Sequence, residues 1–372
     1  MERIVVTDRL SGTAPEIDAV VLVGGKGSRL RPLTLSAAKP MLPTAGVPYL
    51  EHLLSRIRVA GIRHVVLGTS YRAETFEDYF GDGSEFGLDL EYVVEDEPLG
   101  TGGGIRNVYD RLRHDHAMVF NGDVLSGVDL RAVLQTHIEC RADVTLHLVR
   151  VPDPRAFGCV PTDDDGRVLG FLEKTDEPPT DQINAGCYVF RREVIAGIPQ
   201  GVSVSVERDT FPALLTAGAT VVGHIDAGYW LDLGTPMAYV QGSADLVAGV
   251  APTAALPKAQ AHDLDRLVLT GAQVDPNATV LGGSTIGSGA RVDAQAFVRG
   301  SVVMDDAQIG SGARVESSVL GRGARVGAGA VLVGVVVGDG AVIGAGCELL
   351  DGARVWPGTE LPAGSIRFSA GE

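Results

Sequence analysis

The residues best able to do chemistry in this sequence lie in one glycine-rich stretch near its start. The stretch is Leu22-Val23-Gly24-Gly25-Lys26-Gly27-Ser28-Arg29-Leu30-Arg31-Pro32-Leu33-Thr34, and Lys39-Pro40 follows it. A glycine-rich loop that leaves a strand exposes several backbone N–H groups to an anion. Arg29 and Lys39 would add two cations there, which is enough to hold a triphosphate and neutralise its transition state. The alternative is a tight turn with solvated charges.

Two familiar phosphate-binding patterns do not describe this stretch. Leu30 occupies the third glycine position of the dinucleotide fingerprint, and no Gly-Lys-Ser/Thr follows at the offset of a P-loop. The surrounding chain alternates between short apolar runs, at 19–23, 64–68, 90–94 and 117–120, and helical periodicity, as at 48–60. This alternation predicts a doubly wound, mostly parallel α/β sheet, whose ligands bind at the carboxyl ends of its strands.

From about Gly271 onward the sequence becomes a repeat. Aliphatic residues recur every six positions, with three steps of five, and glycine typically follows them. They are Val274, Val280, Ile286, Val292, Val298, Met304, Ile309, Val315, Leu320, Val326, Leu332, Val337, Ile343, Leu349, Val355 and Leu361. An α-helix cannot keep one face apolar at this period, whereas a triangular parallel β-coil can. The pattern resembles a left-handed β-helix of about fifteen repeats in about five coils; a flexible glycine-rich tail is the alternative.

These patterns divide the chain into four parts. We expect an N-terminal extension at residues 1–17, a catalytic domain at 18–245, a linker at 246–270 and the β-helix at 271–365. Because the in-phase aliphatic residues would give the β-helix a core of its own, we expect it to fold as a rigid rod.

The glycine-rich stretch resembles the signature of the sugar-1-phosphate nucleotidylyltransferases, which have a Rossmann-like fold. Two small departures, Ser28 in place of the commoner Thr and Ala38 in place of Pro, remove no charge. The segment from Glu95 to Gly103 matches the loop of that family that recognises the base. The nucleotide-binding residues that the resemblance implies are Leu22, Gly24, Gly25, Gly27, Ser28, Arg29, Glu95, Pro98, Gly100 and Thr101. A carboxylate at Glu95 suits guanine, because the N1–H and N2–H₂ edge of that base offers donors.

The same resemblance implies a metal site and a sugar site. Asp123 and Asp232 match the two aspartates that hold Mg²⁺, and Arg29, Lys39 and Asp123 match the catalytic residues. The sugar-phosphate-binding residues would be Gly158, Glu173, Lys174, Asn184 and Gly186, with Lys174 on the phosphate. The sequence does not decide whether Glu207 and Asp209 line this pocket or have a surface role.

The resemblance is strongest to the members that use mannose 1-phosphate, because of the Leu-Val-Gly-Gly opening and the repeat tail. It implies transfer of GMP from GTP to mannose 1-phosphate, giving GDP-mannose and pyrophosphate, and self-association through the β-helix. Three alternatives stay open. The first is a pyrophosphorylase making dTDP-, UDP- or ADP-glucose, and the second is a non-catalytic subunit that senses GDP-mannose. The third is an added acyltransferase activity, disfavoured because the histidine base it needs is missing after His262.

Composition and charge exclude several classes of partner. The chain has 372 residues, with 47 acidic against 31 basic side chains and a formal charge of −16. An acidic chain is a poor partner for nucleic acid or for anionic membrane surfaces. The sequence has no membrane-length apolar run, and its start does not follow a signal-peptide pattern. Four isolated cysteines fit a reducing compartment, so we expect a cytoplasmic enzyme.

Overall fold

The computed structural model describes residues 16–70 and 72–366 of the chain. Residues 1–15 of the expected N-terminal extension therefore lie outside the described residues. The first part of the chain is an α/β unit. Its strands are β1 (Asp18–Leu22), β2 (Pro43–Thr44), β3 (Val47–Pro48), β4 (His64–Thr69), β5 (Asp89–Val94), β6 (His116–Asn121), β7 (Val124–Ser126), β8 (Val144–Arg150), β9 (Gly158–Cys159), β10 (Leu172–Glu173), β11 (Gln182–Arg191), β12 (Val221–Asp226) and β13 (Trp230–Asp232).

Helices cover both faces of the main sheet. The α-helices are α1 (Tyr49–Val59), α2 (Glu74–Phe80), α3 (Gly100–Asn107), α4 (Leu130–Glu139), α5 (Arg192–Ala196), α6 (Phe211–Thr216) and α7 (Pro236–Val247). Short 3₁₀ turns lie at Ser28–Leu30, Leu33–Leu35, Lys39–Met41, Ser84–Phe86 and Tyr109–Arg111, and a π-helical turn at Val206–Thr210. In β1, Val20 faces one hydrophobic cluster while Ala19 and Val21 face another, so the strand is buried on both sides. Such burial explains why β1 is an unbroken apolar run after Asp18.

The main sheet has nine strands, and its order confirms the predicted doubly wound fold. Strands β5, β4, β1 and β6 are parallel neighbours, and β8 pairs in parallel with β12 at the far side. Between these two groups β11 runs antiparallel to both β6 and β8. The amino-terminal half of β11 therefore lies at the same edge as the carboxyl ends of β1, β4 and β6, which is where ligands bind in such sheets.

The repeat region forms a parallel β-helix, as its sequence predicts. Its strands are β14 (Ala259–Asp263), β15 (Arg266–Leu269), β16 (Gln273–Val274), β17 (Thr279–Leu281), β18 (Ser284–Ile286), β19 (Arg291–Val292), β20 (Phe297–Arg299), β21 (Val302–Val303), β22 (Gln308–Ile309), β23 (Arg314–Glu316), β24 (Val319–Leu320), β25 (Arg325–Val326), β26 (Val331–Val333), β27 (Val336–Val337), β28 (Val342–Ile343), β29 (Glu348–Leu349), β30 (Arg354–Val355) and β31 (Glu360–Leu361). From β15 onward every third strand joins the same sheet, which gives three parallel sheets around one aliphatic core. Strands β14 and β15 lie within 246–270, and the proposed domain boundaries stay predictions.

One sheet of the β-helix packs against the α/β unit. Val302, Val319 and Val336 point outward from β21, β24 and β27, yet they are 2%, 0% and 2% exposed. They share a hydrophobic cluster with Leu30, Leu33, Leu42, Tyr239, Val240 and Met304. Full burial of one such side chain contributes roughly 1.5–3 kcal/mol. The β-helix is thus joined to the α/β unit by a second hydrophobic core, besides having its own.

Candidate active site

The glycine-rich loop follows β1 directly, and its glycines are required by its shape. Gly25 and Gly27 have φ angles of 105° and 55°, in the left-handed region that favours glycine. A Cβ atom at Gly24 would lie 2.9 Å from Ser70 Oγ, so the loop passes close to the end of β4. The Thr34 hydroxyl donates to the Gly27 carbonyl at 2.9 Å and closes the loop on itself. Gly24 and Gly25 are exposed, as an anion-binding backbone requires.

A cavity of about 370 Å³ opens where β1, β4, β5 and β6 end. It is lined by Leu22, Val23, Gly24, Gly25, Lys39, Pro40, Gly68, Ser70, Glu95, Pro98, Gly100, Thr101, Asn121, Gly122 and Asp123. Seven of the ten nucleotide residues implied by the sequence are in this lining, whereas Gly27, Ser28 and Arg29 are outside it. Gly68, Ser70, Asn121 and Gly122 also line the cavity but were not among the residues predicted from the sequence. Their position in the sequence could have predicted them, because they lie at or just after the ends of β4 and β6.

Two carboxylates are brought together beside this cavity by a small second sheet. β13 pairs antiparallel with β7, so that Asp232 is opposite Val124. The Leu233 N–H also donates to the Asp123 carbonyl at 3.0 Å. Burial raises the pKa of Asp232, and the negative charge of Asp123 raises it further. The pair is therefore close enough to repel when both groups are ionised.

Two cations offset that repulsion. Lys39 Nζ lies 2.8 Å from Asp123 Oδ2, and the Lys39 side chain is only 13% exposed. Arg29 lies over the turn after Asp232, because a Cβ atom at Gly234 would be 2.7 Å from Arg29 Nη2. Both cations act to lower the pKa of Asp232, although burial and Asp123 outweigh them. Arg29, Lys39, Asp123 and Asp232 thus converge at one place, as the resemblance implies.

The carboxylate pair fits a divalent cation. Asp232 Oδ1 is buried and has no hydrogen-bond partner within residues 16–70 and 72–366. A buried, unpaired carboxylate oxygen beside a second carboxylate is a site where a cation would restore electrostatic balance. No cluster of three or more His, Cys, Asp or Glu able to hold a metal occurs in the described part of the chain. Two carboxylates suffice for Mg²⁺, which usually takes its remaining ligands from substrate phosphates and water.

Glu95 lies in the wall of the cavity at the end of β5. Its Oε2 accepts from the Leu99 N–H at 3.3 Å, and burial raises the pKa of its carboxyl. A Cβ atom at Gly104 would lie 2.7 Å from Glu95 Oε1, so the carboxylate packs closely against α3. The Glu95 side chain is thereby held at the start of the loop from Glu95 to Gly103.

Residues 203–209 support this loop through hydrogen bonds. The Gly102 N–H donates to the Val204 carbonyl at 2.8 Å, and the Thr101 hydroxyl donates to Glu207 Oε2 at 2.8 Å. Asp209 accepts from the Ser205 N–H at 2.8 Å. Glu207 and Asp209, left open by the sequence, thus make contacts that support the loop and are not part of the cavity lining.

The residues that the resemblance implies for the sugar phosphate, which we call the sugar-side residues, form a second group adjacent to the cavity. Asn184 and Gly186 lie in the amino-terminal half of β11, where Asn184 Nδ2 donates to the Tyr188 hydroxyl at 2.7 Å. A Cβ atom at Gly186 would be 3.0 Å from Asn121 Nδ2, which places Gly186 against a residue of the cavity. Asn121 Oδ1 is buried and accepts no hydrogen bond from any residue that the structure describes. Asn121 therefore offers an unused acceptor at the boundary of the two groups.

Gly158, Glu173 and Lys174 lie on the β9–β10 hairpin. Glu173 is paired with Gly158, and a Cβ atom at Gly158 would be 2.9 Å from Glu173 Oε2. Lys174 is 64% exposed, with Nζ 3.9 Å from Glu173 Oε1. Trp230 of β13 joins this hairpin to β11, because its Nε1–H donates to the Ala185 carbonyl at 3.0 Å and its ring meets Phe157 edge-on at 5.3 Å. Trp230 is two residues before Asp232, so β13, the strand that carries one of the two carboxylates, connects this hairpin to β11.

Comparisons with known proteins agree with this architecture. The family model described as nucleotidyl transferase matches residues 18–249, and one described as the GMPPB C-terminal domain matches residues 265–367. The chain therefore belongs to the nucleotidyl transferase family. It is 64% identical over 356 residues to the mannose-1-phosphate guanylyltransferase of Mycobacterium tuberculosis, covering 95% of this chain and 98% of that protein.

A more distant relative and a solved structure support the same family and fold. The mannose-1-phosphate guanylyltransferase catalytic subunit beta of Drosophila pseudoobscura is 33% identical over 74% of this chain and 71% of its own length. The crystal structure of HddC from Yersinia pseudotuberculosis complexed with GMP-PN superposes with a TM-score of 0.55 at 27% identity, covering 62% of this chain and 99% of that one. The family and the nucleotidyltransferase fold predicted from the sequence are thus confirmed.

Proposed function

We propose that this enzyme transfers GMP from GTP to mannose 1-phosphate, giving GDP-mannose and pyrophosphate. The observation that carries the proposal is the convergence of Arg29, Lys39, Asp123 and Asp232 beside the glycine-loop cavity. The 64% identity to a mannose-1-phosphate guanylyltransferase supports the choice of substrates. The HddC structure was solved with GMP-PN, which is consistent with a guanine nucleotide in this fold.

The reaction needs positioning and charge neutralisation more than acid–base chemistry. An oxygen of the sugar phosphate attacks the α-phosphorus of GTP in line, and pyrophosphate leaves from the opposite side. The nucleophile is already an anion, so no side chain has to remove a proton. Arg29 and Lys39 bind the triphosphate with the exposed backbone of Gly24 and Gly25 and neutralise charge in the transition state. Lys174 binds the phosphate of the sugar, and its exposure leaves it free to reach that group.

Asp123 and Asp232 would hold Mg²⁺. When bound, this ion supplies positive charge that is shared by phosphate oxygens and so helps to align them. The Lys39–Asp123 pair also keeps the Lys39 ammonium at the cavity before substrate arrives. Glu95 would accept from the N1–H and N2–H₂ of guanine, while Gly158, Glu173, Asn184 and Gly186 would bind the sugar.

The experiment that tests this function is a substrate panel. Pyrophosphate release is measured with GTP, UTP, dTTP and ATP, each combined with mannose 1-phosphate and glucose 1-phosphate in the presence of MgCl₂. We expect the highest kcat/KM for GTP with mannose 1-phosphate. A higher kcat/KM for any dTTP, UTP or ATP pair with glucose 1-phosphate would instead identify one of the alternative pyrophosphorylases.

We also propose a cytoplasmic location and a homo-oligomer formed through the β-helix. All four cysteine thiols are free in the part of the chain that the structure describes, which supports a reducing compartment. Within that same part no helix has the length and apolarity to cross a bilayer. Trp356, near the far end of the β-helix, is 49% exposed. An aromatic residue there would either cap the last coil or form a contact between copies. Light scattering of the Trp356→Glu full chain should show a smaller oligomer than wild type, and an unchanged mass would reject this contact.

A further inference from the structure

The three outer faces of the β-helix differ in polarity. On the sheet that contains β19, β22 and β25, the outward residues are Arg291, Gln308 and Arg325, all exposed. On the sheet that contains β21, β24 and β27, the corresponding residues are Val302, Val319 and Val336, all buried. We call these three residues the outer valine face. The β-helix core does not require them, because Val303, Leu320 and Val337 already fill the interior.

The outer valine face meets the phosphate-binding loop. Leu30 and Leu33 are 1% and 2% exposed and belong to the same hydrophobic cluster as the three valines. Leu30 ends the 3₁₀ turn that begins at Ser28, so Arg29 is in the middle of that turn. A single 3₁₀ turn has little stability by itself and needs tertiary contacts to keep its shape. The position of Leu30 therefore sets the position of the Arg29 guanidinium beside Asp232.

A polar contact completes this attachment at the next coil. Arg354 follows Val336 in the outward ladder of the same sheet, and its Nη1–H donates to the Arg31 carbonyl at 2.8 Å. Arg354 is exposed, so it contributes little to the core of the β-helix. Its contact thus ties the β-helix to the residue that follows Leu30.

We propose that the outer valine face and Arg354 are a positioning device for the phosphate-binding loop. The β-helix then serves the transfer reaction itself, although none of its described residues lines the glycine-loop cavity. This inference rests on the proposed function. It predicts that a change far from the substrates, on the surface of the repeat domain, weakens GTP use selectively.

Steady-state kinetics of Arg354→Ala in the full chain test this proposal, with Arg325→Ala as the matched control. Both arginines begin an Arg-Val strand and are exposed, but Arg325 is on another face. We expect Arg354→Ala to lower kcat/KM for GTP at least fivefold, with the KM for mannose 1-phosphate within twofold of wild type. Arg354→Lys, which keeps a donor, should recover most of the loss, and Arg325→Ala should stay within twofold. Equal effects of Arg354→Ala and Arg325→Ala, or no effect of either, would overturn the proposal.

A second pair of variants separates positioning from stability. Val319→Ala shortens a side chain of the outer valine face, whereas Val315→Ala shortens one inside the β-helix. Both should lower the unfolding temperature, but only Val319→Ala should change GTP kinetics. Limited trypsin digestion adds a readout that does not depend on the reaction: cleavage after Lys26 and Arg29 should be faster in Arg354→Ala than in Arg325→Ala. Faster cleavage in a protein that makes no GDP-mannose would support the positioning device and reject the proposed function; equal cleavage rates would reject the device.

Discussion

Replacing Asp232 with asparagine should abolish most of the activity without harming the fold. The substitution keeps the shape of the side chain and removes its charge. Asp232 Oδ1 is buried and unpaired among the residues described, and Asp123 lies close enough to raise the pKa of Asp232. If the two carboxylates hold Mg²⁺, the loss of one removes an electrostatic contact in the transition state. Such contacts are worth about 10²–10³ in turnover, or about 2.7–4 kcal/mol.

The same change should leave the free protein as stable as before, or more stable. Burial raises the pKa of Asp232 above its unfolded value, so the folded state favours the protonated form. The protonated form of Asp232 contributes stability that is lost as the pH rises through the pKa of this group in the folded state. At pH 8 the Asp232 carboxylate is ionised and opposes folding. A neutral amide removes this penalty. The unfolding temperature of Asp232→Asn without ligand should therefore equal or exceed that of wild type at pH 8.

Two assays check the prediction together. Pyrophosphate release gives turnover, and thermal unfolding with and without MgCl₂ and GTP gives binding. Ligand at 100 times its Kd should stabilise the wild type by about 2.7 kcal/mol, and the variant should gain clearly less. Asp181→Asn is the control, because Asp181 forms a surface ion pair with Arg150 and should be replaceable at little cost. The reasoning is refuted if folded Asp232→Asn keeps more than a tenth of wild-type turnover, or if it unfolds several degrees earlier than wild type.

The remaining predictions concern the sugar phosphate, the guanine base and the buried histidines. Lys174→Ala should raise the KM for mannose 1-phosphate at least tenfold and the KM for GTP less than twofold; equal effects in steady-state kinetics would show that its role is misassigned. Glu95→Gln should lower kcat/KM for GTP by roughly 5- to 150-fold, the effect of about 1–3 kcal/mol, because an amide N–H₂ would face the donors of guanine. The buried histidines His52, His137 and His147 have pKa values lowered to about 4 by burial, against 6.5 when unfolded, so the protein should lose stability as the pH falls from 6.5 towards 4. Urea unfolding at pH 7.5, 5.5 and 4.5 measures this, and a constant free energy of unfolding would contradict it.

Local patterns in the sequence were enough to predict both folds. The glycine spacing from Gly24 to Gly27 and the six-residue period after Gly271 each depend on neighbouring residues, and the structure confirms the sheet and the β-helix. The cavity residues Ser70 and Asn121 were missed because each comes from a different strand, and only the assembled sheet brings them beside Gly24 and Gly186. The functional roles of Asp123, Asp232 and the sugar-side residues stay predictions.

The attachment of the β-helix was also missed, although the sequence contains its signal. The six-residue period is defined by the inward position of each repeat, whereas the signal of attachment lies at the outward position. Val302, Val319 and Val336 are each directly before an inward aliphatic residue, where Arg291, Gln308 and Arg325 occupy the equivalent positions on another sheet. Three outward valines one coil apart indicate a buried surface. The expectation of a rigid rod left this attachment out: the rod has its own core, and it also packs on the loop that follows β1.

The regular stacking of the coils fixes the distances between residues along the axis of the β-helix. Neighbouring parallel strands lie about 4.8 Å apart, so the three steps from Val302 to Arg354 span about 14 Å along the axis. Removing one whole coil would leave every remaining strand paired, because each coil contacts only its neighbours. It would nevertheless shift Arg354 by one step, beyond hydrogen-bonding distance of the Arg31 carbonyl. The number of coils before Arg354 is thus fixed by the distance between the hydrophobic cluster that contains Val302 and the Arg31 carbonyl. The pairing of the repeats would by itself allow a different number of coils.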